Sequence, residues 1–278
     1  MFHYSIVQWL FFFYVYSFLG WCFESAYVSV RSGRLVNRGF LREMLLPIYG
    51  SGAVMMLVVS APFMGFPVPW KYLCVYFAGC VGATILEYVT GVAMEALFKV
   101  RYWDYSGKPF NLQGHICLQS TIAWGGFTLL MTMVIHRPIA SAVLSIPGSV
   151  LRAVVFGMTL CFVVDFALSF KAAMDLQNVL VKLEQAKKEM SHMQKRLDIL
   201  IALTGEELEK VREELEELRE RYHIRLLDRE RLTVVKDIFQ RHMLRSNPTM
   251  VSMKFGDSLR ELQDKLEQEI RERHRGRQ

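Results

Sequence analysis

The chain has 278 residues, 52% of them hydrophobic, and a formal charge of +6. Residues 1–170 hold ten Lys and Arg against six Asp and Glu, while residues 171–278 hold 23 against 21. Neither half is basic enough for a nucleic-acid surface, and the first is too apolar for an ordinary water-facing domain.

Five stretches reach the roughly 20 mostly apolar residues that a membrane span requires. They are 6–30, 44–64, 71–98, 114–136 and 149–170. The first lacks a basic leader and a small-residue cleavage site ahead of Glu24, so it is expected to be kept as a span. The third is long enough to tilt or protrude. Trp9, Trp70, Tyr102 and Trp103 fall near expected span ends, where amphipathic rings favour the interface. The five cysteines lie in apolar runs without metal or disulfide spacing and read as small buried hydrophobes.

Loop charge sets the expected orientation. The 31–43 connection carries Arg31, Arg34, Arg38 and Arg42, and the 99–113 connection carries Lys99, Arg101 and Lys108. The opposite connections hold only Lys71, Arg137 and Arg152. The bias favours a multi-pass cell-membrane protein with its N-terminus outside and its C-terminus cytoplasmic.

The sequence thus predicts an all-α fold: a polytopic membrane helix bundle of about five transmembrane helices over 1–170, and a cytoplasmic helical, coiled-coil tail over 171–278. In the tail Leu176, Leu183, Met190 and Leu197 recur every seventh residue, as do Val179, Ala186, Met193 and Leu200. This is a coiled-coil seam, expected to bring two copies of the chain together, although two helices of one tail could also pair. Thr204-Gly205-Glu206-Glu207 interrupts the register as a capping box, and a second helix follows through Leu208, Val211, Leu215, Leu218 and Tyr222. Ser246-Asn247-Pro248 signals a turn, and 256–274 a last charged helix.

Glu24, Glu87, Glu95 and Asp165 fall inside expected spans. Carboxylates in hydrocarbon are costly, so they face a bundle interior or pair with one another or with cations. With the orientation above they lie at similar depth to Pro47, Tyr49, Gly50, Asn111, Gly114 and His115, which suggests a polar cavity open to the cytoplasm. Span three carries Gly79, Ala83, Glu87, Gly91 and Glu95 four residues apart, on one helix face. Small residues there admit a neighbouring helix, and two acids on one face call for a cation, an arginine or a proton. The alternative is a structural ion pair with Arg38 or Arg42. Asn37 and Arg38 in Val36-Asn37-Arg38-Gly39-Phe40, and Trp103, Asp104 and Tyr105 in Trp103-Asp104-Tyr105-Ser106, are further candidates. For the latter block an interfacial anchor with an Asp turn is the competing reading. His115 reads more simply as a packing residue. No phosphate loop, GxSxG, HExxH or zinc cluster is present, so no catalytic residue, metal site or cofactor is assigned.

Six blocks carry a resemblance. They are Tyr16-Ser17-Phe18-Leu19-Gly20-Trp21 with Glu24-Ser25, Val36 to Leu41, Pro47-Ile48-Tyr49-Gly50, Glu87-Tyr88 with Gly91 and Glu95, Trp103 to Ser106, and Phe110-Asn111-Leu112-Gln113-Gly114. In order and spacing, over about residues 10–130, they resemble the bacterial ABC-transporter permease family of type IV, the CmpB-like group. The stretch from Asn247-Pro248 to Phe255 is similar to members with a cytoplasmic extension. The chain departs from the family pattern at His115, where Arg or another residue is expected. The resemblance implies a permease component of a small-solute transporter in the bacterial inner membrane, served by a separate ATPase subunit. Two other readings stay open: a membrane-embedded enzyme acting on lipid or phosphate headgroups, and a sensor or scaffold signalling through the coiled coil.

Overall fold

The computed structural model describes residues 4–201, 213, 216–217 and 238–275. The expected capping box and second tail helix at 204–222 lie almost wholly outside them. The described residues are helical with no strand, apart from two isolated bridges. They divide into two compact units, Met1–Phe170 with Ser246–Val251, and Lys171–Arg245 with Ser252–Gln278.

In the first unit α1 spans Ile6–Ser32. Ser5 and Gln8 form a reciprocal capping box at its start, and Gly33 ends it in the left-handed region. Helix α2 (Pro47–Ser60) starts on a proline, which gives up no helical hydrogen bond at that position, and a 3-10 turn carries it to Phe63. Helix α3 spans Trp70–Phe98. Helix α4 (Leu118–Leu130) runs through a π-turn (Met131–Ile135) into α5 (His136–Leu144). Helix α6 runs unbroken over Gly148–Ile201 and supplies residues to both units.

Among the described residues four helical segments are long and apolar enough to cross a membrane: α1, α3, Leu118–Leu144 and Gly148–Arg196 of α6. The expected second span is a shorter apolar segment, Pro47–Phe63. The expected fourth span ended at 136, ahead of Arg137-Pro138, yet the helix continues. Pro138 has no N–H to give to the Val134 carbonyl. The wider turn just before it sits where the ordinary ladder would be interrupted.

Helix α3 shows how the bundle is sided. Gly79, Ala83, Glu87 and Gly91 are buried along one face, and Phe77, Val81, Ile85 and Val89 are exposed along another. Polar and small groups face protein while large apolar groups face outward, as lipid requires. At Gly79 a Cβ would collide with the Thr128 side chain of α4, and at Gly50 with Ser17 and the Phe13 carbonyl of α1. Both glycines therefore set how closely helix pairs approach. A core built on Phe12, Tyr14, Tyr16, Met56, Leu57 and Met131 fills the centre.

In the second unit α6 is accompanied by α7 (Ile238–Ser246) and α8 (Gly256–Arg275). Leu176 and Leu183 of the expected seam are buried, but the second buried row is Ala173 and Leu180. Val179, Ala186, Met190 and Met193 are half-buried, and the side chains of Leu197 and Leu200 lie outside the description. Helix α8 runs beside this stretch. Ser258 donates to Glu184 at 3.4 Å, and Lys187 pairs with Glu261 at 3.0 Å. Burial alone would raise the Glu261 carboxyl; the bonds and charges of Lys187 and Lys265 outweigh it and hold the group below the usual carboxylate range.

Candidate functional site

Three connections gather at one end of the bundle: the 33–46 loop, the 99–117 loop and Ser246–Val251. They enclose polar side chains from α1, α2, α3 and α4. The first cluster is centred on Glu24. Tyr49, in the first turn of α2, donates to its Oε1 at 3.0 Å, and Arg38 Nε stands 3.7 Å from its Oε2. Arg38 is held on all sides. Its backbone N–H donates to Ser25 Oγ at 3.1 Å. Its guanidinium donates to the carbonyls of Ser246 at 3.2 Å and Tyr102 at 3.4 Å. Burial draws the guanidinium below its ordinary value, and the Glu24 carboxylate works against that. Beside it, Trp21 Nε1 donates to Asn37 Oδ1 at 2.5 Å, and Asn37 Nδ2 donates to the Arg42 carbonyl at 2.9 Å.

The second cluster is centred on Glu87, which is 5% exposed. Tyr105 O–H donates to one carboxylate oxygen at 3.1 Å and Trp124 Nε1 donates to the other at 2.8 Å. Among the described residues no cation pairs with it. The alternative ion pair with Arg38 or Arg42 is not seen at Glu87 among the described residues, and Arg38 stands beside Glu24 instead. Burial first, and then the Glu87 carboxylate, push the Tyr105 phenol well above its ordinary value, with Glu24 adding to the effect. Tyr105 therefore keeps its proton, and both carboxylates act on it.

The third cluster is a network of paired charges. Arg101 Nε donates to Glu95 Oε2 at 2.8 Å, and its Nη1 reaches Asp104 at 3.4 Å. His115 Nε2 lies 3.0 Å from the same Glu95 oxygen. Burial and then the Arg101 charge lower the His115 pKa despite Glu95 and Asp104. A neutral imidazole donating Nε2–H to Glu95 fits that balance better than an ion pair. Asp104 Oδ1 accepts from Ser106 N at 3.0 Å and Oγ at 2.6 Å. These bonds and Arg101 overcome the upward push of burial and lower its carboxyl. Asn111 closes the loop, donating to the Ser106 and Lys108 carbonyls and accepting from Gly114 N–H. Trp103 donates to the His115 carbonyl at 2.9 Å.

Asp165, on α6, stands apart from these clusters. Its Oδ2 accepts the Glu43 backbone N–H at 3.0 Å. It is 6% exposed and ties α6 to the loop ahead of α2. Trp124 as a donor to Glu87 was not anticipated, nor was His136. His136 is 2% exposed between Tyr16 O–H at 2.8 Å and Tyr4 O–H at 3.0 Å. The available signal was the shared face of Phe12 and Tyr16 along α1, with Tyr4 just ahead of the helix.

Helices apolar on the outside, enclosing acids matched by arginine, tyrosine and tryptophan, define a polytopic helical membrane protein. The family described as Putative ABC-transporter type IV matches residues 11–170, and the chain belongs to that family. No curated protein and no solved structure matches the chain.

Proposed function

We propose that the protein is the membrane permease component of a small-solute transporter driven by a separate ATPase subunit. Its N-terminus lies outside and its C-terminal tail in the cytoplasm, where copies of the chain associate. The solute site is the polar end of the bundle, a cytoplasm-facing cavity lined by Glu24, Arg38, Tyr49, Glu87 and Tyr105. Glu95, Asp104 and Asn111 shape its rim. The observation that carries this reading is Glu87. A carboxylate buried within a span and met by two neutral donors is energetically expensive and is kept where a cation, a proton or a polar solute is handled. Family membership supports the ATPase partner.

The test is purification of the tagged full chain in gentle detergent, with mass spectrometry of what accompanies it. A stoichiometric subunit carrying a phosphate-binding loop is expected. A homogeneous homo-oligomer without an ATPase would sink the transporter reading and favour the sensor reading. The packing of Ser246–Val251 within the first unit lends that rival its own support.

A further inference from the structure

Ser246–Val251 lies outside the family-matched residues, yet it packs as part of the first unit. At one end, Asn247 Nδ2 donates to the Gly39 carbonyl at 3.0 Å, and Asn247 is 1% exposed. At the other, Val251 and Arg101 exchange backbone hydrogen bonds at 2.7 and 3.0 Å as an antiparallel bridge. Between them Met250 is 2% exposed. The segment thus joins the 33–46 loop to the 99–117 loop.

The middle contact concerns the site directly. Arg38 donates to the carbonyl of Ser246, the last residue of α7. Carbonyls of a last helical turn lack partners within the helix, and a guanidinium is a favourable cap for them. The contact therefore serves the helix end and fixes the arginine whose Nε faces Glu24. Helices α7 and α8 flank the segment in sequence, so a displacement of either acts on it.

We propose that Ser246–Val251 is a strap that closes the polar end of the bundle, with Asn247 as the positioning residue that seats it, and that its release uncovers Arg38. Release must break the Asn247 bond to Gly39, the backbone pair between Val251 and Arg101, and the Arg38 bond to Ser246, and must uncover Met250. On release the Arg38 guanidinium loses one carbonyl and faces the entrance beside Glu24. Access to the site then depends on the tail. The inference stands on this geometry whether or not an ATPase accompanies the chain.

Phenylglyoxal, which modifies accessible guanidinium groups, reads this directly. In the full-length protein in detergent, peptide mass spectrometry should show Arg38 modified slowly and the exposed Arg31 quickly. Asn247→Ala and, at the other end, Val251→Pro should each raise the Arg38 rate at least several-fold and leave Arg31 unchanged. Equal Arg38 rates in all three proteins would overturn the proposal. Hydrogen exchange on the unmodified protein supplies a reading that needs no variant. The Arg101 and Val251 amides should be protected together, and exchange of either within seconds would show that the strap is not seated.

Discussion

Glu87 can be altered without leaving a polar group alone. In Glu87→Gln the amide oxygen accepts from Trp124 Nε1 and the amide N–H donates to the Tyr105 hydroxyl, which can turn to accept. Thermal unfolding in detergent should place this variant within about 1 kcal/mol of the parent, while solute transport by the assembled complex is lost. Glu87→Leu strands both donors and should cost about 1–3 kcal/mol for each. Equal destabilisation by the two would mean that the carboxylate itself, and not the number of hydrogen bonds it can make, matters at this position. Composition and depth showed that Glu24, Glu87 and Glu95 need compensation. They did not show which partner goes where. Arg101, three residues from Asp104 and six from Glu95, reaches both because α3 ends in a left-handed turn at Lys99. Trp124 was hidden among apolar residues, where an indole reads as bulk until something buried needs its N–H.

At the scale of the helix, the small residues of α3 and α4 are the determinants. Gly79→Leu forces a branched side chain against Thr128 and should cost about 1–3 kcal/mol by overpacking. Gly126, on the neighbouring helix, meets nothing within 4 Å of an added Cβ. Gly126→Leu should unfold at nearly the parent temperature, and a loss matching that of Gly79→Leu would refute close approach as the cause. Helix positions were readable because hydropathy dominates any chain that must satisfy lipid. Ends were less so. The sequence placed a stop near Arg137-Pro138, but the π-turn absorbs the proline. In the tail, the heptad spacing correctly marks Leu176 and Leu183 as buried. The row beside them is Ala173 and Leu180 in place of Val179 and Ala186. A heptad pattern marks which face is apolar, but the neighbouring segments select which residues on that face are covered; α8 lies beside α6 farther along, at Glu184 and Lys187.

For the molecule as a whole, the orientation drawn from loop charge has a direct check. A C-terminal tag on intact spheroplasts should resist added protease and become cleavable on lysis, while a tag ahead of Ile6 should be cleaved without lysis. The reverse pattern would turn the bundle over and place the Glu24 and Glu87 clusters on the outer side. The family match ends at residue 170, where the first unit hands α6 to the second. The strap is the exception, a tail sequence that folds with the bundle. Nothing in its composition announced this. Ser246-Asn247-Pro248 marks a turn, but the Gly39 and Arg101 partners lie about 150 to 210 positions earlier in the chain.

The π-turn at Met131–Ile135 has one further consequence. Each residue added to a helix rotates the remainder of that helix by about 100°, and a π-turn amounts to one extra residue within a helix. The two halves of Leu118–Leu144 are therefore out of phase with each other. Trp124 points to Glu87 before the turn, and His136 points to Tyr4 and Tyr16 after it. One span thereby serves two neighbours that an unbroken helix would not reach from the same sequence. Removing a single residue from the turn would take out that extra residue, restore regular winding and leave both Trp124 and His136 facing their present partners, whereas regular winding of the unshortened sequence would swing His136 about 100° away from its tyrosines.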